Sequence, residues 1–104
     1  NELLNEFVNE IAEHFASHND VRFYADRLNV SSTYLAQVTK RIAGKAPKVI
    51  IDEYVASEAQ SMLVSSTRTV QEIAYALGFS SQAHFTKFFR KAAGCTPSEY
   101  RRRK

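Results

Sequence analysis

Between Val70 and Arg101 the apolar residues fall into two helical blocks separated by a glycine. In the first block Val70, Ile73, Ala74 and Leu77 recur on one helical face. Gly78 can adopt the left-handed conformation that ends a helix, and Phe79 fills the turn behind it. Ser80 and Ser81 then offer side-chain oxygens to the orphan amides of a new helix, in which Phe85, Phe88 and Phe89 turn inward at i, i+3 and i+4. Gln82, Ala83, Thr86 and Lys87 are left on the outward face, with Arg90 and Lys91 one turn later. A helix, a tight turn and a basic second helix predict a helix-turn-helix whose second helix enters the major groove of DNA.

The remaining pattern is also helical. Leu3, Leu4, Phe7, Val8, Ile11 and Phe15 form a stripe over about 2–17, with acids on the other side. Asp20 caps a helix over about 21–28, and Ser31 caps one over about 32–43 that Gly44 closes. Pro47 starts a helix running to about Val64, with Ile51, Val55, Ala59, Met62 and Leu63 on one side. After the polar run Ser65, Ser66, Thr67 and Arg68 come helices at about 69–77, 81–92 and 97–103. The predicted fold is all-α, with about seven helices in two helix-turn-helix subdomains, 1–46 and 66–104, joined by a linker helix at 47–65. Because the chain opens directly in an amphipathic helix, it is expected to be part of a longer protein.

The two subdomains repeat one pattern. Shifted by 49 residues, Val21, Ala25, Leu28, Ser31 and Ser32 fall on Val70, Ala74, Leu77, Ser80 and Ser81. With one residue inserted in the second turn, Leu35, Val38, Lys40, Arg41, Ala43, Gly44 and Pro47 fall on Phe85, Phe88, Arg90, Lys91, Ala93, Gly94 and Pro97. This is an internal duplication. A generic bundle core has no need of serine caps and paired basic residues at matching places.

Charge sharpens the picture. Residues 1–20 hold Glu2, Glu6, Glu10, Glu13 and Asp20 and no Lys or Arg; the rest of the chain holds all 14 basic residues against six acids. The basic excess therefore coincides with the duplicated part, where it would attract phosphate through counterion release. The 104 residues leave no room for a large catalytic cleft, and no nucleophile with its base, phosphate-cradling glycine loop or metal cluster is visible. An enzyme is the weakest reading, and no cofactor is expected. His14, His18 and His84 lie far apart without Cys, Asp or Glu at ligand spacing, so no metal site is expected, and His14 and His18 are read as surface residues. The single cysteine, Cys95, is read as a small half-buried residue in a reducing compartment. With no apolar run of about 18 residues and no signal peptide, no membrane partner and a cytoplasmic location are expected.

Helical geometry nominates the outward positions as base readers: Ser32, Thr33, Ala36, Gln37 and Lys40 in the first subdomain, and Gln82, Ala83, His84, Thr86 and Lys87 in the second. Gln can pair bidentately with adenine, Lys with guanine, and Thr or Ala can touch a thymine methyl. The small Thr33 and Ala36 suggest weaker direct readout by the first helix. Candidates for phosphate contact are Ser31, Tyr34, Arg41, Lys45 and Lys48, and in the second subdomain Ser81, Arg90, Lys91 and Arg101. Tyr24, Tyr34, Tyr54, Tyr75 and Tyr100 are read mainly as packing, with the Tyr34 hydroxyl also within reach of a phosphate. A linker helix of ~17 residues spans about 25 Å and, with the width of the subdomains, can hold two recognition helices about one DNA turn, ~34 Å, apart.

Ile73-Ala74, Gly78-Phe79, Ser81, Phe85, Phe89, Gly94, Thr96-Pro97 and Tyr100-Arg101 sit at the spacing of a known signature. Over about residues 20–104 the chain resembles the DNA-binding domain of the AraC/XylS family of bacterial transcription regulators. The first unit departs in having Asn29 where the family has a turn glycine, and in lacking a basic residue at 52–56. The resemblance implies two helix-turn-helix units joined by a linker helix and base contacts on the outward positions above. It further implies a sensory or dimerisation part on the N-terminal side of the complete protein, and activation more often than repression. The expected partners are double-stranded DNA and RNA polymerase. The isolated domain is expected to be monomeric, and the complete protein to be capable of dimerising. Two rival readings stay open: a non-specific architectural DNA binder and a protein-interaction module whose duplication is only structural.

Overall fold

The computed structural model describes residues 1–103, and all regular structure among them is helical. In chain order the helices are α1 (Glu2–His14), α2 (Val21–Arg27), α3 (Ser32–Ala43), α4 (Pro47–Ser65), α5 (Val70–Ala76), α6 (Gln82–Ala93) and α7 (Pro97–Arg103). The chain divides into two compact units, Asn1–Tyr54 and from Val55 onward.

Local side-chain chemistry sets most of the boundaries. Asp20, Ser31, Thr69 and Ser81 each stand in extended backbone and accept a hydrogen bond from an amide three residues on, starting α2, α3, α5 and α6. Thr69 and Glu72 form a reciprocal capping box, and Thr96 and Glu99 exchange the same two bonds at 2.9 and 3.1 Å. These bonds hold the Glu72 and Glu99 carboxyls below their ordinary value, chiefly through the backbone N–H of Thr69 and of Thr96. At the other ends, Gly44 and Gly94 close α3 and α6 in the left-handed conformation.

The two turns between paired helices share one backbone design. In the first, Asn29 N–H donates to Asp26 C=O and Val30 N–H to Ala25 C=O; in the second, Gly78 N–H donates to Tyr75 C=O and Phe79 N–H to Ala74 C=O. Both are Schellman motifs, with a left-handed residue directly after the cap: Asn29 at φ 60° and Gly78 at φ 90°. Asn29 therefore does the work of the glycine it replaces, as its short polar side chain permits. The duplication is closer in structure than the sequence alignment suggested. The caps Ser31 and Ser81 are equivalent, so the extra residue is Ser80, inside the turn. The pairing of Ser31 with Ser80 is thus corrected by one position, because the oxygen that meets the N-terminal amides of α6 is that of Ser81.

Each unit has its own core. Phe7, Ile11, Tyr24, Ala25, Leu35 and Ile51 cluster in the first. In the second, Ile73, Ala74, Leu77, Phe85 and Phe89 are buried, as are Val55, Ala59 and Leu63 of α4 and the Cys95 and Pro97 side chains. Cys95 is thus fully buried, not half-buried. Phe88, expected inward, is only half-buried, and packs against Phe79 at 5.1 Å between ring centroids. Tyr75 is 54% exposed and Tyr34 49%, so packing does not describe either. His14 and His18 are not plain surface residues: the His18 ring stacks on Phe23 at 3.6 Å, and the His14 ring meets the same Phe23 edge-on. Beside them the buried Tyr24 hydroxyl donates to the His18 carbonyl at 2.7 Å, and burial pushes its pKa up to about 12. The end of α1 comes at His14, earlier than the apolar stripe indicates; residues 15–17 form turns, and the Phe15 ring packs against Tyr54 at 5.5 Å.

Apart from Ala56, the buried positions of α4, namely Pro47, Ile51, Val55, Ala59 and Leu63, recur every four residues. Four residues turn a helix by about 400°, so the buried stripe drifts by about 40° per step and about 160° along the helix. Ile51 serves the first core, and Val55, Ala59 and Leu63 lie in the second unit.

Candidate nucleic-acid interface

The outward faces of α3 and α6 carry the residues nominated by helical geometry. On α3, Ser32, Thr33, Gln37 and Lys40 are exposed and Ala36 is half-buried; beneath them Leu35, Val38 and Thr39 are buried. On α6, Gln82, Ala83, His84 and Lys87 are exposed and Thr86 is half-buried, over buried Phe85 and Phe89. The inward aromatic anchors thus fix the rotation of α6 and leave its polar face free. Gln82, Ala83, Thr86, Lys87 and Arg90 together line one open concavity on this face.

His84 does not join them. Its ring lies edge-on to Phe79 at 5.2 Å, and its Nδ1 is 3.4 Å from Ser80 Oγ. The Ser31 and Ser81 oxygens accept from Tyr34 N–H and His84 N–H, which leaves each hydroxyl proton to donate outward. The Tyr34 side chain is exposed within the first turn of α3.

Among the described residues Lys40, Arg41, Lys87, Arg90 and Lys91 have no ion pair, so their charge is uncompensated. Lys40 and Arg41 occupy the last turn of α3, and Arg90 and Lys91 the last turn of α6. Lys45 and Lys48 differ, since they pair with Glu53 at 2.8 Å and Asp52 at 2.9 Å. Such exposed pairs are worth little, roughly 0.2–1 kcal/mol, and are readily exchanged for a phosphate. Arg101 is half-buried, with Nε donating to Leu63 C=O at 2.9 Å and Nη2 to Ser66 C=O at 3.3 Å. No local pattern indicates this contact, because the partners lie 35 and 38 residues away.

Near the start of the chain, Glu10, Glu13 and His14 bring three ligand-type atoms within 4.8 Å of one another. The reading that no carboxylate stands at ligand spacing from a histidine overlooked this i, i+3, i+4 group on α1. Glu10 is already engaged by the Arg27 guanidinium at 2.8 Å, which holds its carboxyl below the ordinary value.

Two Schellman-turned helix pairs, each ending in a polar, basic-tipped helix, define a double helix-turn-helix protein. Residues 24–103 match the family model described as "Helix-turn-helix domain". The chain belongs to this family in its AraC/XylS form, one of transcription-regulator DNA-binding domains and not of enzymes. It is similar to the C-terminal domain of AraT, a response regulator from Geobacillus stearothermophilus, with TM-score 0.90 and 28% identity, covering 100% of this chain and 87% of that one. The DNA-binding domain of AdpA, a global transcriptional factor solved in complex with a target DNA, gives TM-score 0.85 and 29% identity over 96% of this chain and 90% of that one. The HTH-type transcriptional activator RhaS of Escherichia fergusonii is 30% identical over 98 residues, 94% of this chain and 35% of RhaS. The chain spans about a third of the length of most curated relatives it matches, and 6% of one, the histidine kinase P4 of Formosa agariphila. Among the described residues no helix is long and apolar enough to cross a membrane.

Proposed function

We propose that this chain binds double-stranded DNA in a sequence-specific manner, with α3 and α6 in successive major grooves, and thereby activates transcription. The observation that carries the reading is the open face of α6, where Gln82, Ala83, Thr86 and Lys87 stand beside Arg90 over a rigid aromatic base. Bidentate donors and methyl-bearing side chains on one exposed helix face suit base edges in the major groove. Ser32, Thr33, Ala36, Gln37 and Lys40 form the smaller counterpart on α3, and His84 reaches bases only if its ring leaves Phe79. Arg41, Lys45, Lys48, Arg90 and Lys91 are assigned to phosphates, with the hydroxyls of Ser31, Tyr34 and Ser81.

The DNA complex of the similar AdpA domain and the activator RhaS support this reading. RNA polymerase is the proposed protein partner, the domain acts as a monomer, and its place is the bacterial cytoplasm. The division into a first lobe to residue 46, a linker helix and a second lobe from residue 66 belongs to the same proposal, as does a sensory or dimerisation part elsewhere in the protein.

Selection of the domain on a random duplex library, with the enriched pool re-tested at two salt concentrations, decides the matter. An enriched site with two elements about one helical turn apart is the expected result. Salt-steep binding without an enriched sequence points instead to an architectural DNA binder, and absence of binding overturns the proposal.

A further inference from the structure

The C-terminal end of α4 is built unlike those of α3 and α6. Those two close on left-handed glycines, whereas Asn29 is the sole non-glycine residue with positive φ among the described residues, so no left-handed cap follows Ser65. The last turn of α4 instead takes extra side-chain donors, with Met62 C=O receiving both the N–H and the hydroxyl of Ser66. Ser65 Oγ donates to Ser61 C=O at 2.6 Å and Ser66 Oγ to Met62 C=O at 2.7 Å. The next acceptors, Leu63 C=O and Ser66 C=O, receive the Arg101 fork from α7. A guanidinium here meets both needs of a helix C-terminus: donors for orphan carbonyls and positive charge at the negative end of the dipole. Its planar two-pronged geometry is one that lysine cannot reproduce.

We infer that Arg101 is a positioning residue that clamps the end of α4 onto the second helix-turn-helix, and so makes the protein intolerant of changes in the distance between the two halves of its DNA site. This rests on the two-groove reading above. Two features favour it over a phosphate contact: the donors already point at backbone acceptors, and the side chain is half-buried, unlike Arg102 and Arg103. A helix whose last turn is tied down cannot fray, and fraying is the local freedom that would let the second unit adjust to altered spacing.

The test compares R101K, R101Q and the control R102K with the unsubstituted chain, each first checked by thermal melting. Their affinities are measured on the selected duplex and on versions with one base pair inserted or removed between its elements. Hydrogen exchange at residues 62–66 is followed in parallel. The expected result is faster exchange in R101K and a spacing penalty at least threefold smaller than in the parent, while R102K leaves both unchanged and the R101K salt dependence stays that of the parent. Equal loss of affinity on all spacings overturns the inference. So does normal behaviour of R101K with a shallower salt slope in R101Q, the mark of a phosphate contact. Failure of both variants to fold would give Arg101 a role in folding only and would also overturn it. If the unsubstituted chain selects no two-element site, the two-groove reading fails and the spacing role with it; the exchange data then still report whether the clamp exists.

Discussion

Single side chains on α6 divide into those that hold the helix and those that face outward. Phe85 and Phe89 are fully buried, and Gln82 and Lys87 are exposed. Replacing either exposed residue by alanine is therefore expected to leave the melting temperature nearly unchanged. It should relax preference at particular base pairs of the selected site by about 1–3 kcal/mol each, measured by competition among single-base variants. Uniform weakening across all sequences would instead place these side chains on phosphates. Glu72 offers a second residue-level expectation. Its folded pKa lies below the ordinary 4.5 because the Thr69 N–H binds the carboxylate. Its contribution is therefore present above pH 4.5 and is lost as the pH falls through the lowered value. In E72Q the melting temperature should be lower at neutral pH, and the difference from the parent should shrink in that acid window.

Elements were legible wherever a local rule sets them. The caps Asp20, Ser31 and Gly44 and the start at Pro47 act within one turn of the chain, so residue type alone locates them. Contacts between elements were not legible. The stacking of His18 on Phe23 depends on how α1 and α2 meet, and the Arg101 fork depends on where α7 lies. The α6 face could be read because the spacing of Phe85 and Phe89 fixes its rotation, but nothing local says that the His84 ring turns back to Phe79. The turn at Asn29 gives an element-level prediction. N29G should be neutral or slightly stabilising, while N29A should cost about 1–2 kcal/mol, since alanine pays the left-handed penalty without a compensating side chain. Urea unfolding of both variants checks this; equal stability would mean the turn rearranges.

At the level of the whole molecule, two units with separate cores bring two separate sets of uncompensated cations to the ends of α3 and α6. If both units engage the duplex, their phosphate contacts should add. R41A and R90A are each expected to reduce the slope of log affinity against log salt by about 1, and the double variant by about 2. A slope moved by only one of them would mean that one unit carries the electrostatic contact alone.

The four-residue rhythm of buried positions along α4 also bears on how such a chain can change over evolutionary time. Each residue inserted into a continuous helix turns everything downstream by about 100° and advances it by about 1.5 Å. A single insertion would therefore swing Leu63 out of its core, while seven residues, close to two full turns, nearly restore the phase. Lineages that lengthen this helix should do so in steps of about seven, and loops such as the one holding Ser80 should absorb the odd residues.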